Sequence, residues 1–344
     1  MTGERGPDAR RSLSPVALNG GLALLLVALA AVSVVWGEKV LDLHAAVGDW
    51  LAGRPSVGAI ILGQLRLPRT ALAVMVGGTL GLCGAVLQGY LRNPLADPGL
   101  LGVSGGAALG AVCVFYTVLF QFSALLLPLG GLLGAVVSAL VLMVLVGGGG
   151  PLVLLLAGAA LSSFMAALTA LVLDLVPSPY AMFEIAHWLM GSLTDRTPAD
   201  VLLALPGVVA GCALLAGCGP ALDGLSMGED VAASLGFRLG GLGGVQMRVV
   251  LGVAISVGSC VAVAGAIGFV GLVVPHLLRP LAGHRPSRLL WPSFLGGAVL
   301  LLLADLMVRL ISSQAELNLG VVTALIGAPV FFHRVMLFRK RSMI

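Results

Sequence analysis

The sequence predicts an all-α polytopic membrane protein with about ten transmembrane helices. Of its 344 residues, 59% are hydrophobic and only 10% charged, with a mean hydropathy of +1.09. Water-soluble chains carry about 25% charged residues, so the polar groups here are too few to coat a soluble body. Apolar runs as long as a bilayer requires, about 20 residues, recur almost from end to end. The 49 glycines suit helices packed backbone to backbone in lipid, where small residues permit close approach.

In chain order, residues 1–15 form a polar tail with Arg5, Arg10 and Arg11. The apolar run at residues 16–35 exceeds the 7–15 residues of a cleaved signal's apolar region, so it reads as an uncleaved first helix. Further spans are expected near 69–91, 97–120, 122–146, 152–173, 199–218, 246–264, 268–282, 290–310 and 319–338. The seventh and eighth could be one buried stretch, and we divide them at Gly265 to Gly268. The eighth is short and carries Pro275, which predicts a bent or incomplete crossing. Trp36 to Gln64 is expected as a connection, and Val176 to Pro198 as an interfacial helix anchored by Tyr180 and Trp188. The segment 219–245 is the longest loop on its side; its core, Gly228 to Gly236, has helix-forming residues with acids at the start, where they complement the helix dipole.

An even number of spans places both termini on one face. With the N-terminus cytoplasmic, thirteen cationic residues lie inside and six outside, as the positive-inside rule requires. Arg66, Arg69, Arg196 and Arg309 fall on the outer side and break the trend. Cations confined to short loops do not make the basic stripe that nucleic acid demands. Five scattered cysteines without a Cys-x-x-Cys pair, and sparse histidine, give no expectation of a metal site; buried inert thiols are expected instead.

Chemistry-bearing residues are few. No Gly-x-x-x-x-Gly-Lys-Ser/Thr loop exists, so Gly147 to Gly150 cannot cradle phosphate as a Walker A loop, and any ATP must bind another chain. Ser104 in Gly102-Val103-Ser104-Gly105, with His276 as base, would be the constellation of an intramembrane serine protease, although two glycines around a serine are unremarkable in this chain. Asp305 and Arg309 are four apart on one helix face and are expected to pair locally. Asp305 would also be the coupling acid if the protein were a secondary transporter. Glu184 and His187 share a face of the interfacial segment and read as a solvated pair. Pro94 cannot continue a helix and restricts Asn93, so a non-helical turn follows the second span.

Several blocks then resemble a known family: Arg66-Leu67-Pro68-Arg69; QGYLRNPLADPGLLG from Gln88; Trp188-Leu189-Met190-Gly191-Ser192; MGEDVAASLG from Met227; GAIGFVGLVVPHLLR from Gly265; and GVVTALIGAPVFF from Gly320. In this order they look like the permeases of iron-siderophore, haem and cobalamin ABC importers, the FecCD family. The resemblance covers roughly residues 20–340. It implies a type II ABC importer permease of ten helices per subunit, in the bacterial inner membrane, with residues 16–338 as the transmembrane domain and 339–344 as a cytoplasmic tail. It also implies a second permease subunit, two ATPase subunits that carry the ATP and magnesium, no cofactor on this chain, and an extracytoplasmic substrate-binding protein.

Residue by residue, the likeness implies that Arg66, Arg69 and Arg309 dock acidic residues of the binding protein. It implies that the loop 219–245 couples to the ATPase through Gly228, Glu229, Ala232, Ala233, Leu235 and Gly236. Asn93, Pro94 and Leu95 match a cytoplasmic gate. A second gate loop, polar in relatives, here reads Gly147-Gly148-Gly149-Gly150-Pro151-Leu152, leaving Leu152 as its first large side chain. The most populous branch carries ferric siderophores, which is the substrate expected first, with cobalamin and haem open. Phospholipid headgroups are the competing account of Arg66 and Arg69.

Overall fold

The computed structural model describes residues 13–37, 42–117, 119–123, 125–176, 178–241, 243–283, 285–311 and 317–341. The tail cations Arg5, Arg10 and Arg11, together with Lys39 and residues 342–344, lie outside them. Among the described residues the chain is a bundle of α-helices with two short 3₁₀ turns. The helices at the ten expected spans are α1 (Pro15–Val35), α4 (Leu67–Tyr90), α5 (Val103–Tyr116), α6 (Leu126–Val146), α7 (Pro151–Asp174), α9 (Pro198–Ala216), α12 (Val245–Ala264), α13 (Val270–Ala282), α14 (Pro286–Ile311) and α15 (Leu319–Arg341). Between them stand the shorter α2 (Leu43–Leu51), α3 (Val57–Ile60), α8 (Pro179–Leu189), α10 (Gly219–Ser226) and α11 (Glu229–Ser234). Seven helical stretches are long and apolar enough to cross a bilayer by themselves, and α5, α13 and the first half of α15 are shorter apolar segments.

Proline explains many of the starts. Pro15, Pro151, Pro179 and Pro198 occupy the first positions of their helices, where a missing N–H costs nothing. At α9 the Thr197 and Asp200 side chains add a reciprocal capping box. The division between the seventh and eighth spans is real: α12 ends at Gly265, whose φ of 70° is readily reached by glycine, and α13 begins after Phe269.

Four expectations need correction. The connection after the first span ends at Ser56, because Val57–Tyr90 is continuously helical. Ile61–Arg66 widens into a π turn just before Pro68, which accommodates the lost N–H and lets the helix run through. The third span is only the 14 residues of α5, since Pro98–Leu101 forms a 3₁₀ turn that Gly102, at φ 75°, terminates. The long loop holds two helices, α10 as well as the expected α11. Finally, the thiols are not uniformly buried: Cys113 is exposed and Cys212 partly so.

Two helices form the centre. The apolar window of Val57–Tyr90 is 83% buried and that of α12 is 78% buried, against 11% for peripheral α1. Packing around α4 is set by glycine. A Cβ at Gly77 would strike the Gly297 carbonyl on α14, one at Gly81 the Ser293 carbonyl, and one at Gly84 the Gly271 carbonyl of α13. The α5–α6 pair repeats the device at Gly106, Gly110, Gly130 and Gly134. Inside α13, Pro275 cannot give Gly271 its helical hydrogen bond. Gln88 of α4 supplies the replacement: its Nε2 donates to the Gly271 carbonyl at 3.2 Å and to that of Leu272 at 3.3 Å, and its Oε1 accepts from Arg279 at 2.9 Å. The QGYLRNPLADPGLLG and GAIGFVGLVVPHLLR blocks are therefore locked together.

A valine at Gly84 should disrupt this centre, whereas one at Gly20, which has nothing within 4 Å of its Cβ position, should be silent. Overpacking typically costs about 1–3 kcal/mol, so thermal unfolding of the purified chain should show a lowered Tm for Gly84→Val and an unchanged one for Gly20→Val. Equal Tm values would mean that α4 and α13 separate easily.

Candidate functional site

Helix α4 carries one polar cluster at each end, separated by about 36 Å of helix, taking 1.5 Å per residue. At the Arg66 end, the carbonyls closing α1 have no helical partners and two arginines provide them. Arg66 is buried, and its Nη1 donates to the Val34 carbonyl at 3.0 Å and the Val35 carbonyl at 2.6 Å. Arg309 donates through Nη1 to the carbonyls of Ser33 at 2.8 Å and Trp36 at 3.2 Å. Both cations complement the negative end of the α1 dipole.

Asp305 organises the cluster. It is 1% exposed, and one carboxylate oxygen accepts from Arg309 of its own helix at 2.5 Å. The other accepts from Arg69 at 2.8 Å through both Nε and Nη2. Ser33 and Thr70 complete the seam between α1 and α4 with hydroxyls 2.7 Å apart. The pairing of Asp305 with Arg309 was legible from their spacing; the second arginine was not. Arg66, Arg69 and Arg309 line one cleft of about 310 Å³, together with Thr194 and Asp195. With Asp195 and Asp305 as the carboxylates, three guanidinium groups leave the cleft net cationic.

At the other end of α4, Arg92 adopts φ 48° and the chain turns. Asn93 makes the turn with its own amide, its Oδ1 accepting from the Leu95 N–H at 2.9 Å, while its carbonyl accepts from Ala96 at 3.1 Å. Arg92 donates to Glu229, the first residue of α11, at 2.8 Å. The glycine loop arrives at the same carboxylate, since a Cβ at Gly150 would stand 3.6 Å from Glu229 Oε2. Thus the residues singled out in the Asn93 turn, the Gly147 loop and α11 share one surface, where Leu95 and Leu152 are exposed.

Helix α11 has a fixed base. Asp223 of α10 caps the start of α14, accepting from the Ser287 N–H at 2.9 Å and its hydroxyl at 2.7 Å. Ala232 is fully buried and packs on Gly224 of α10, so it is unavailable to a partner, whereas Ala233 is exposed. Gly228 and Gly236 flank α11 at φ 123° and 86°. Val231 and Leu235, one turn apart, are exposed, as is Met227 at the end of α10. Asp223, Arg92 and Gln88 were not singled out in the sequence, because their partners lie 64, 137 and up to 191 residues away. Elsewhere Glu184 is exposed and the His187 ring lies 6.2 Å from that of Phe183.

The sequence model of the FecCD transport family matches residues 23–339. The vitamin B12 import system permease proteins BtuC of Salmonella paratyphi A and Salmonella newport are each 38% identical over 315 residues, covering 90% of this chain and 92% of theirs. A solved structure of a metal-chelate type ABC transporter in an inward-facing conformation superposes with a TM-score of 0.80 at 32% identity, covering 94% of this chain and 99% of that one. A more distant structure, PsaBC from Streptococcus pneumoniae in complex with Fab, gives 0.54 at 17% identity, covering 83% of this chain and 94% of that one, a likeness of fold alone.

Removing the shared carboxylate should be the costliest change at the Arg66 end. Asp305→Ala strands two largely buried cations, and breaking a buried pair costs about 3–5 kcal/mol. Arg69→Ala, which leaves Asp305 its Arg309 partner, should lower the Tm less. A Tm for Asp305→Ala equal to that of the parent would show that the α1 carbonyls suffice for Arg309 and that solvent suffices for Arg69.

Proposed function

The chain belongs to the FecCD transport family, and from that premise we propose that it is the membrane-spanning subunit through which an ATP-driven importer passes a cobalt corrinoid. Transport of the metal-chelate class by an ABC permease follows from the family and its relatives. The corrinoid is the finer reading, supported by the vitamin B12 permeases that align along nine-tenths of this chain. A ferric siderophore, expected first from the breadth of the family, becomes the second reading, and haem the third.

The observation that carries the mechanism is the placement of two unlike clusters at the ends of α4. The cleft of Arg66, Arg69 and Arg309 suits carboxylates on the two lobes of a binding protein, since arginine pairs with them in bidentate geometry. Because Asp305 and the α1 carbonyls already hold the guanidinium groups, little ordering remains to be done on docking. At the opposite end, the exposed apolar side chains of Met227, Val231 and Leu235 suit a groove on an ATPase subunit. ATP and magnesium belong to that partner. In this reading the Glu229 end is cytoplasmic, as the positive-inside count also favours, with both termini on that side. A second permease subunit completes the path, and the Asn93 turn with the Gly147 loop and Leu152 narrows it.

Reconstitution in proteoliposomes with the ATPase and binding protein should give ATP-dependent accumulation of cobalamin. Accumulation of a ferric siderophore but no cobalamin would overturn the substrate; equal accumulation without any ATPase would overturn the importer. A cysteine at Ala233 should cross-link to the ATPase while one at Ala232 should not. At the other face, Arg69→Ala should weaken binding-protein affinity by about fivefold or less, because exposed ion pairs are worth about 0–1 kcal/mol, and added salt should shrink the difference. An affinity indifferent to both salt and Arg69→Glu would assign the cleft to lipid headgroups or helix packing.

A further inference from the structure

We propose that Arg92 is a positioning residue for transport, and that its ion pair with Glu229 transmits displacement of α11 to the Asn93 turn. The inference rests on the importer reading above and adds a mechanical link to it.

Four observations converge. Arg92 holds a left-handed backbone, φ 48°, which a residue with a side chain rarely adopts unless its surroundings enforce it. Downstream, the turn is internally braced by the Asn93 amide, the Asn93 carbonyl and Pro94, so a force on Arg92 moves it as a unit. Upstream, the Arg92 guanidinium is 2.8 Å from Glu229 Oε1, at the first position of the helix that carries the exposed Val231 and Leu235. The same carboxylate faces Gly150, so both loops that flank the path meet at one acid.

Energy scale fits the task. The two side chains are 46% and 42% exposed, so the pair sits in water and is weak enough to break and re-form in each cycle. Stability cannot be its main contribution. Asp223 and Ser287 already anchor α10, and Ala232 seats α11 on α10 without it. What the pair adds is a direct polar connection between α11 and the end of α4.

The test uses the assembled transporter with its ATPase and binding protein, reading ATP hydrolysed per molecule imported and checking assembly by co-purification. Arg92→Glu should assemble and hydrolyse ATP yet use about fivefold more ATP per molecule imported, the size expected of an exposed pair. The exchange Arg92→Glu with Glu229→Arg should restore the parental ratio to within about twofold. Were Glu229 instead an ATPase contact, the exchange would be worse than either single change, and the proposal would fall. A parental ratio in Arg92→Glu would equally overturn it, marking the pair as an idle surface contact. If Arg92→Glu does not assemble, the milder cycle of Arg92→Gln, Glu229→Gln and their double variant decides: a non-additive ratio supports the link and an additive one refutes it. Failure of the parental complex to import at all would refute the importer reading and the link with it, a result distinct from all of these.

Discussion

Close approach of α4 to α13 and α14 is the constraint on which the remaining geometry depends. In lipid no hydrophobic force drives two helices together, because acyl chains are as apolar as leucine. Association then depends on dispersion, which falls off within an ångström of contact. Gly77, Gly81 and Gly84 bring the α4 backbone against carbonyls of its neighbours, where any Cβ would collide. The helix so gripped begins beside Arg66 and ends beside Arg92. One rod therefore determines where both polar clusters sit.

Those clusters obey a second rule, that polar groups removed from water must find partners within the chain. Asp305 finds Arg69 and Arg309, and Arg309 together with Arg66 also serves carbonyls that the end of α1 would otherwise leave bare. Gln88 serves a carbonyl orphaned by Pro275 and takes a hydrogen bond from Arg279 in return. Each network joins helices distant in sequence, so each polar residue acts as a cross-brace as well as a candidate contact. The arginines lining the cleft are consequently structural, and substitutions made there to test docking will also perturb the helix packing.

Much of this could be read in advance, for identifiable reasons. Apolar runs separated by glycine and proline marked the ten spans, because lipid burial demands length and composition that few other elements share. Asp305 and Arg309 were visible as a pair because helix geometry brings residues four apart together. By contrast, α10 was hidden: Gly219–Ser226 is short and mixed in polarity, and its role depends on Asp223 meeting a helix start 64 residues later. The early start of the second span was hidden too, because Arg66 looks like a solvated loop residue until α1 is placed against it. Sharing of Asp305 by Arg69, across 236 residues, is a property of the tertiary arrangement and leaves no local trace.

The loop from Gly147 to Gly150 carries a thermodynamic consequence. No atom stands within 4 Å of where a Cβ would sit on Gly147 or Gly148, so no side-chain packing holds a particular shape there and only backbone bonds such as Gly149 N–H to the Val146 carbonyl do. Fixing one residue costs about 1–2 kcal/mol of conformational entropy, and glycine loses more than any other residue. A run of four thus carries an unusually large entropic penalty in any single ordered form. Because that penalty scales with absolute temperature, a closed form of this loop should loosen on warming more than one built from side chains that bond to each other. In the importer proposed above, a gate built from this loop would then be set by heat as well as by nucleotide.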